Sequence, residues 1–391
     1  MSVVVDSEQA FLDSVRRIAD EVAAPHAEEV DRNARFPAEA VDALRAEQAL
    51  AALVPAELGG GGIGFEHVAE ACFELGRRCG ATAMVFAMHQ IQVASMARHL
   101  EPGSFHEEYL ATLARDGRLV ASVTSEVGTG GDMGRSVAAV TPGPDGQVSF
   151  EKKAPTVSYG AHADDLLVTL RRAPDAEGGD QVAVLVRRDQ LELEPTGEWD
   201  PLGMRGTCSP GYVVRAACDA EQVLGAPFAK ISAETMTPVS HILWSHLWLG
   251  IATDAFDRAR AFVRAAARRS PGQPPASAQR LSHVMSELSL LRGEVHAGLR
   301  DFLEADASPD RARLSTMASA LRFNNLKIAA SEQAPRVCQG ALGVTGMAGF
   351  QNRTPFSVGR HIRDTMSAFL MVTNERIHAT NAGLLLIAKD V

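Results

Sequence analysis

The residues near the end of the chain that could move a proton lie in FLMVTNERIHATNA, residues 369–382. An apolar run gives way there to polar residues without the glycine or proline that would mark a loop. Glu375 and His378 carry the carboxylate and the imidazole of this segment. Because such groups are common general bases in enzymes, the segment is a candidate catalytic site.

The twelve histidines of the chain suggest metal binding, but their spacing argues against it. His241 and His246 lie five positions apart, which is not the i, i+4 spacing of ligands on one helix face. The sequence contains no H-E-x-x-H and no paired C-x-x-C motif. We therefore predict no metal site, and the absence of G-x-S-x-G and P-loop motifs argues against serine hydrolases and NTPases.

Two glycine-rich segments have different contexts. GGGGIG at 59–64 matches G-x-G-x-x-G but follows VPAEL in an otherwise helical region, so we predict a loop between helices and not a dinucleotide site. SEVGTGGD at 125–132 follows an apparent strand, LVASV. Its glycines would let the backbone approach a flat or anionic group closely, although a simple hairpin turn has the same pattern.

The surrounding elements fall into three blocks. Apolar residues recur at helical spacing in 1–118, short Val-, Leu- and Thr-rich runs separated by turn residues fill 119–230, and helical spacing returns in 231–391. We predict these three blocks as domains. Because the strands are clustered and do not alternate with helices, the pattern predicts an α+β, mostly α fold and argues against a doubly wound sheet.

Composition narrows the class of protein further. The net charge of −10 argues against a nucleic-acid surface, and we see no basic tail or long apolar segment that favours a membrane. The five cysteines are too few and too scattered for a disulfide framework. We expect a cytoplasmic protein without a signal peptide.

Several segments, in order, resemble motifs of the acyl-CoA dehydrogenase family. VTSEVGTGGD is similar to the family's flavin loop T-E-P-G-x-G-S-D, with Ser125 at the threonine and Gly131 at the serine. KKAPTVSYGAHAD, PLGMRGTCSPGYVV, CQGALGVTG and RHIRD resemble further motifs, and the R-x-x-F-G segment is kept except that Pro271 replaces the phenylalanine. The resemblance covers nearly the whole chain. It implies an N-terminal helical domain, a middle antiparallel β-domain and a C-terminal four-helix bundle.

The cofactor that the resemblance implies is FAD, held between the β-domain and the C-terminal helices, with its phosphates crossing a subunit interface. The implied contacts at the flavin are Ser122, Thr124, Ser125, Gly130, Gly131, Val157, Ser158 and Thr373. The implied contacts to the adenine-dinucleotide part of a neighbouring subunit's flavin are Arg268, Gln279, Gln339, Gly340 and Gly343. Arg268 suits a pyrophosphate by its charge and planar fork. A homodimer or homotetramer is the expected assembly.

The same resemblance exposes a missing base. FLMVTNERI is similar to the family's Y-E-G-T-x-E-I segment, whose glutamate removes the α-proton of an acyl thioester, and Met371 stands at that glutamate. The other base position in the family corresponds to Ser240, beside which His241 replaces an arginine. Neither methionine nor serine is a competent base, so His241 becomes the best candidate, with Glu375 a weaker one. A histidine buried for structural reasons is the alternative interpretation of His241.

Three functions remain open at this point. The preferred one is oxidation of an acyl thioester, on CoA or a carrier protein, in a specialised biosynthetic pathway with a non-standard base. Electrons would pass to an electron-transfer flavoprotein or to O₂. The second is a flavin monooxygenase on the same fold, using His89, His241 and His378 as the pool of polar groups at the ring. The third is a base-less subunit that pairs with an active paralogue.

Overall fold

The computed structural model describes residues 2–269, 271–272, 274–308 and 311–388, with side chains from residue 7 onward. The N-terminal part is helical, as the apolar spacing predicted. Its helices are α1 (Ser2–Ile18), α2 (Ala24–Asn33), α3 (Ala38–Ala46), α4 (Phe65–Arg78), α5 (Gly80–Ala97) and α6 (Phe105–Asp116). The glycine run 59–64 follows a short 3₁₀ turn, Ala56–Leu58, and leads into α4, so it is the predicted loop between helices.

Two small sheets follow. Their strands are β1 (Val120–Val123), β2 (Thr141–Pro142), β3 (Gln147–Ala154), β4 (Asp165–Arg171), β5 (Gln181–Arg187), β6 (Leu191–Pro195) and β7 (Tyr212–Asp219). One sheet has the order β1-β4-β5 and the other β2-β3-β7-β6. The predicted antiparallel pairing holds except between β1 and β4, which are parallel. Parallel strands need a crossover connection, so segment 125–132 begins a long crossover and is not a tight hairpin.

Helices return after the sheets. They are α7 (Phe228–Ile231), α8 (Thr237–Arg269), α9 (Ser277–Asp306), α10 (Met317–Thr345), α11 (Met347–Phe350), α12 (Gly359–Thr365) and α13 (Asn374–Ile387). The three long helices α8, α9 and α10 pack against one another, and α13 packs on α10. This arrangement agrees with the predicted C-terminal bundle, and the predicted fold class is confirmed.

A close crossing of α4 and α8 joins the two helical parts. A Cβ on Gly76 would lie 2.5 Å from the Leu247 carbonyl oxygen, and one on Gly250 would lie 2.2 Å from the Phe73 carbonyl oxygen. Only glycine at both positions allows the two backbones to approach this closely. The contact fixes α8, and with it Trp244, relative to the N-terminal helices.

The division into domains at 1–118, 119–230 and 231–391 stays a prediction. Element type does change between Asp116 and Val120 and between Asp219 and Phe228, but a single hydrophobic cluster runs through all three parts. Met1 and residues 389–391 of the predicted outer domains lie outside the described residues. Within the described part of the chain, we find no helix that is both long and apolar enough to cross a membrane.

Candidate active site

A cavity of about 580 Å³ lies where the β region meets the helices. Its walls come from α5, from the loops after β1 and β3, from residues 199–209, from the start of α8 and from the stretch between α12 and α13. The volume is within the range of about 300–1,000 Å³ that is common for small-molecule sites. The cavity brings together segments that are distant in sequence.

The glycine-rich segment 125–132 forms one side of the cavity. Gly130 and Gly131 have φ of +60° and +82°, which glycine adopts at little cost. The buried carboxylate of Glu126 holds the start of the segment, because it accepts hydrogen bonds from Ser136 Oγ at 2.6 Å and Val137 N at 3.1 Å. Glu126 also pairs with the buried Lys152, with Nζ and Oε2 3.6 Å apart. Because Glu126 holds the start of the segment in place, the glycines that follow can line the cavity.

Most of the residues predicted to contact the flavin of the same subunit do line the cavity. These are Ser122, Thr124, Ser125, Gly130, Gly131, Ser158 and Thr373. Ser125 Oγ donates to the Thr156 carbonyl oxygen at 2.7 Å, which joins the two loops. Val157 does not line the cavity: it is fully buried behind the wall, and its amide donates to the Pro210 carbonyl oxygen at 3.0 Å.

Both positions that resemble the family's base positions, Met371 and Ser240, line the cavity. Ser240 Oγ donates to the carbonyl oxygen of Met236 at 2.5 Å, one helical turn earlier. Val372, at the position of the family's glycine, has φ of +44°. A β-branched residue rarely adopts this left-handed conformation. Val372 therefore holds a strained backbone conformation in the cavity wall.

The structure places His241 away from the cavity. Its side chain is 3% exposed, and Nδ1 lies 3.0 Å from the carbonyl oxygen of Phe323, to which it can donate as the neutral tautomer. Burial, with a contribution from the nearby Lys327 ammonium, lowers the pKa of His241 to about 3. Such an imidazole is a weak base without access to a substrate. The geometry agrees with the alternative interpretation, a buried structural histidine.

The other candidate proton acceptors also lie outside the cavity lining. Glu375 and His378 are exposed on α13. His89 is fully buried in α5, where Nε2 is 2.7 Å from the Leu50 carbonyl oxygen and Nδ1 accepts from Val120 N at 3.0 Å. Both nitrogens of His89 are thus used, and burial lowers its pKa to about 4. None of the three contacts the space where a substrate would bind.

Apart from two arginines, the described side chains that line the cavity are uncharged, and many of them are flexible methionines. Among the described residues that form it there is no aspartate, glutamate, histidine, cysteine or lysine. Seven of the twelve methionines of the chain line it: Met84, Met88, Met133, Met204, Met236, Met366 and Met371. Methionine is flexible and polarisable and packs well against aromatic rings. The lining therefore suits a flat or bulky apolar group and offers it no carboxylate base.

Sequence reasoning missed two polar atoms of the cavity. Gln92 and Trp244 line it, and Gln92 Oε1 and Trp244 Nε1 are buried without a hydrogen-bond partner among the described residues. Leaving a buried polar atom unpaired costs about 1–3 kcal/mol. One atom is an acceptor and the other a donor, so a ligand with a matching polar group would satisfy them. Two tryptophans lie four positions apart on α8. Trp248 is buried in the core, whereas Trp244 lines the cavity.

Three hydroxyl groups form a chain in the wall. Thr207 Oγ1 and Ser209 Oγ are 2.8 Å apart, and Ser209 Oγ donates to Ser158 Oγ at 3.0 Å. All three residues line the cavity. A hydroxyl both donates and accepts, so this chain is able to carry a proton along the wall. Neither the order nor the spacing of these residues in the sequence indicates that their side chains meet.

Two arginines bring positive charge to the cavity, and neither was predicted. Arg376 Nη2 donates to the carbonyl oxygen of Gly130. Arg363 Nη2 donates to Asp31 Oδ2. Both line the cavity. The signal for Arg376 was available, since it follows Thr373 by three positions and a first helical turn places such residues on one face.

The residues predicted to contact a neighbouring subunit's flavin lie elsewhere. Arg268, Gln279, Gln339 and Gly343 are exposed, and none lines the cavity. The ends of α9 and α10 that carry three of them are adjacent, because Arg280 Nη1 donates to the Gly343 carbonyl oxygen at 3.2 Å. Gly340 lies at the same contact, where a Cβ would be 2.8 Å from Val284. Their role at an interface stays a prediction.

Comparisons with known proteins agree with the fold. Residues 5–116 match the family described as acyl-CoA dehydrogenase, N-terminal domain. The chain is 26% identical to the probable acyl-CoA dehydrogenase YngJ of Bacillus subtilis, over 91% of this chain and 92% of that protein. It is 28% identical to dibenzothiophene monooxygenase of Rhodococcus erythropolis, over 58% of this chain and 55% of that protein.

The crystal structure of FMN-bound TdsC from Paenibacillus sp. A11-2 has the same fold. Its TM-score is 0.82 at 22% identity, covering 96% of this chain and 97% of that one. The helix–sheet–helix order and the loop-lined cavity define an acyl-CoA dehydrogenase-like fold. Together with the matched N-terminal segment and the full-length relative, they support the resemblance to the acyl-CoA dehydrogenase family that the motifs indicated.

Proposed function

We propose that this protein is a flavin-dependent oxygenase that inserts one oxygen atom of O₂ into an apolar, ring-bearing substrate. One observation carries the proposal: the described residues that line the cavity include no group able to remove an α-proton. The sequence alone favoured a different reaction, the oxidation of an acyl thioester with His241 or Glu375 as the base. Both residues lie outside the cavity lining.

The residues of the cavity fit a flavin. A planar aromatic ring with a polar edge needs apolar faces and hydrogen-bonding groups around its rim, and the cavity supplies methionines with Ser122, Thr124, Ser125 and Ser158. Thr373 and Arg376 are suited to a phosphate on the flavin side chain, since arginine binds phosphate through a planar fork. A bound reduced flavin would supply two electrons for O₂ activation. We propose FAD, with Arg268, Gln279, Gln339, Gly340 and Gly343 of a neighbouring subunit at its adenine end, and FMN as the alternative.

The protein's own residues would hold and orient the substrate. Methionine side chains can adjust to a ring system and exclude water from it. Trp244 Nε1 can donate to a polar group of the substrate, and Gln92 Oε1 can accept from one, which would pair two buried atoms. Because an unmatched substrate would leave these atoms unpaired, they would select among apolar compounds of similar size.

The hydroxyl chain gives the oxygenase a path for protons. Oxygenation places one oxygen atom in the product and releases the other as water, and it consumes two electrons and two protons. Ser158, Ser209 and Thr207 lie along the wall with oxygen atoms 2.8–3.0 Å apart. We propose that they deliver a proton to the departing oxygen. Each hydroxyl would give one proton and receive the next, so none needs to be ionised.

Acyl-thioester oxidation remains the second candidate, because the full-length relative YngJ is named a probable acyl-CoA dehydrogenase. Its partners would be an acyl-CoA or acyl-carrier protein and an electron-transfer flavoprotein. The base-less subunit is the third. The two enzymatic functions differ in what the reduced protein does with O₂, which makes them separable.

Stopped-flow mixing of the anaerobically reduced, flavin-loaded protein with O₂ tests the proposal. We expect a transient absorbance that matches neither oxidised nor reduced flavin. Slow, direct return of the oxidised spectrum, together with rapid reduction of the flavin by an acyl-CoA, would overturn the proposal in favour of a dehydrogenase. Failure to bind FAD or FMN at micromolar concentration would favour a base-less subunit. Mass analysis of the retained cofactor separates FAD from FMN.

A further inference from the structure

A second cavity, of about 480 Å³, adjoins the active-site cavity. It is lined by parts of α2, the 201–205 loop, α8 and α12. The two cavities share Pro201, Leu202 and Arg363 in their walls. The lining of the second cavity is more polar than that of the first. Its described lining contains five arginines and only two carboxylates, those of Glu28 and Asp31.

The buried carboxylate of Asp254 holds two of the side chains that line the second cavity. Asp254 Oδ2 accepts from His361 Nε2 at 2.7 Å and from Arg258 Nε at 2.7 Å. His361 lines the cavity and is 4% exposed. Because its Nε2 is used by Asp254, only the other ring nitrogen is left to bind a ligand: Nδ1 is buried and has no hydrogen-bond partner among the described residues. A histidine fixed in this way is oriented for a ligand.

Of the five arginines in the described lining of the second cavity, Arg360 is the one without an ion pair among the described residues. Its only hydrogen bond in the described structure runs from Nη2 to the Arg78 carbonyl oxygen, at 3.0 Å. The described residues place no carboxylate within ion-pairing distance of it, whereas Arg258 pairs with Asp254 and Arg363 pairs with Asp31. Arg360 is half-buried. A half-buried guanidinium with unused donors attracts an oxyanion, and arginine matches phosphate with two parallel hydrogen bonds.

Asp31 supplies an acceptor at the same cavity. Its Oδ2 accepts from Arg363, and its backbone carbonyl oxygen accepts from Arg205 Nε at 2.8 Å. Oδ1 of the same carboxylate is buried without a partner among the described residues. A hydroxyl next to the anionic group of a ligand would satisfy it. Donors and an acceptor therefore line one cavity, as a phosphate ester with a free hydroxyl requires.

From this arrangement we infer that the second cavity binds a phosphate-bearing part of the substrate, whose apolar reacting part enters the active-site cavity past Pro201 and Leu202. The inference rests on the proposed function for the role of the first cavity. The phosphate would bond to Arg360 and Arg258, and His361 Nδ1, which is the acceptor of the neutral imidazole, would accept a hydrogen bond from a hydroxyl of the ligand. The substrate would then be held at two points, which fixes the ring that is to be oxygenated.

Binding of inorganic pyrophosphate and orthophosphate to the purified flavin-loaded protein, measured by calorimetry at constant ionic strength, tests the inference. We expect saturable binding of at least one of them that Arg360→Gln weakens about tenfold or more, since hydrogen bonds to charged groups are worth about 1.5–3 kcal/mol. Arg336→Gln is the matched control, because Arg336 is an exposed arginine of α10 that lines neither cavity and forms an ion pair with Glu332, one helical turn earlier. It should bind as the wild type does.

The imidazole provides a second measurement. The ¹⁵N resonances of His361 should shift when the anion binds to wild type and to Arg336→Gln. Tighter binding of pyrophosphate than of orthophosphate assigns a diphosphate, and equal binding assigns a single phosphate. Equal affinity of wild type and Arg360→Gln, or no binding beyond that of chloride, would overturn the inference. These measurements need no turnover, so they stand even if the oxygenase proposal fails.

Discussion

Arg376 donates a hydrogen bond to the carbonyl oxygen of Gly130, a residue 246 positions earlier in the chain. The contact joins the first turn of α13 to the glycine-rich segment that lines the active-site cavity. Among the described residues, the side chain nearest to the position of a Cβ on Gly130 or Gly131 is that of Arg376. The position of the loop therefore depends on α13, and α13 in turn is held by Asn374, which accepts from the buried Lys327 at 2.8 Å.

Arg376→Gln should weaken flavin binding about tenfold or more, because it removes a charged donor that holds the loop and would also contact the flavin phosphate. Fluorescence titration of the apoprotein with FAD and with FMN measures the effect. Arg336→Gln serves as the control again and should leave the affinity unchanged. Wild-type affinity in Arg376→Gln would show that the loop does not need α13.

Gln92→Leu should lower kcat/KM for the substrate by about 5- to 100-fold, as expected when a substrate donor loses its only buried acceptor. Oxygen consumption should continue without a matching yield of product, because a substrate that is not oriented is not oxygenated. The comparison variant is Met88→Leu, one turn away in the same wall, which changes shape but no hydrogen bond. If product yield per O₂ stays at the wild-type value in Gln92→Leu, Gln92 does not orient the substrate.

Met371→Leu should keep oxygenation within about threefold of wild type, because swaps of similar volume are tolerated in apolar surroundings. Met371→Glu should lose it, since a carboxylate in this lining is costly to ionise and displaces the apolar substrate. The decisive assay is reduction of the flavin by an acyl-CoA in Met371→Glu. Rapid reduction there, absent in wild type, would mean that the cavity still accepts an acyl thioester.

His241→Gln should lower the free energy of unfolding by about 1–3 kcal/mol, because the buried Phe323 carbonyl oxygen would lose a well-placed donor. The pH dependence of kcat should not change, since His241 lies outside the cavity lining. Thermal unfolding and a pH–rate profile measure the two effects. Loss of a basic limb from the profile, with stability unaffected, would restore His241 as the general base.

The free energy of unfolding should begin to fall near pH 6.5, a pH well above the range in which carboxylates titrate. Burial lowers the pKa of five histidines to about 4, from a normal value of 6.5: His89, His99, His106, His246 and His361. Above pH 6.5 neither the folded nor the unfolded chain is protonated at these sites. As the pH falls from 6.5 towards 4, the unfolded chain takes up protons that the folded chain does not, so the free energy of unfolding falls.

The contribution of one such group can be measured as a slope. His89→Gln should reduce the steepness of the stability–pH curve between pH 6 and 5 by about 1.2 kcal/mol per pH unit, slightly less than the value for one full proton. His378→Gln, which replaces an exposed histidine, should leave the slope as it is. Denaturant unfolding at a series of pH values gives the curve. A slope that His89→Gln does not alter would mean that His89 is protonated in the folded protein.

The sequence was sufficient for the fold. Ordered motifs such as VTSEVGTGGD and RHIRD indicated an acyl-CoA dehydrogenase-like fold, and the apolar spacing placed the helices and strands, since both depend on local patterns of residues. The same patterns placed Ser125, Gly131 and Thr373 at one cavity, and Met371 at the position of the missing base. They could not show that β1 and β4 are parallel, because strand direction depends on where the crossover passes.

The chemistry of the cavity was decided by the tertiary structure. A histidine next to an empty base position is equally compatible with catalysis and with burial, and only the direction of α8 shows that His241 faces Phe323. Likewise, seven methionines from five segments form one lining, and Arg360 and His361 reach a cavity beside Asp31, more than 300 positions away in the chain. Burial and distance between remote side chains are products of packing. Residue types therefore indicated the fold of this protein, and packing determined which of its described side chains line the cavity.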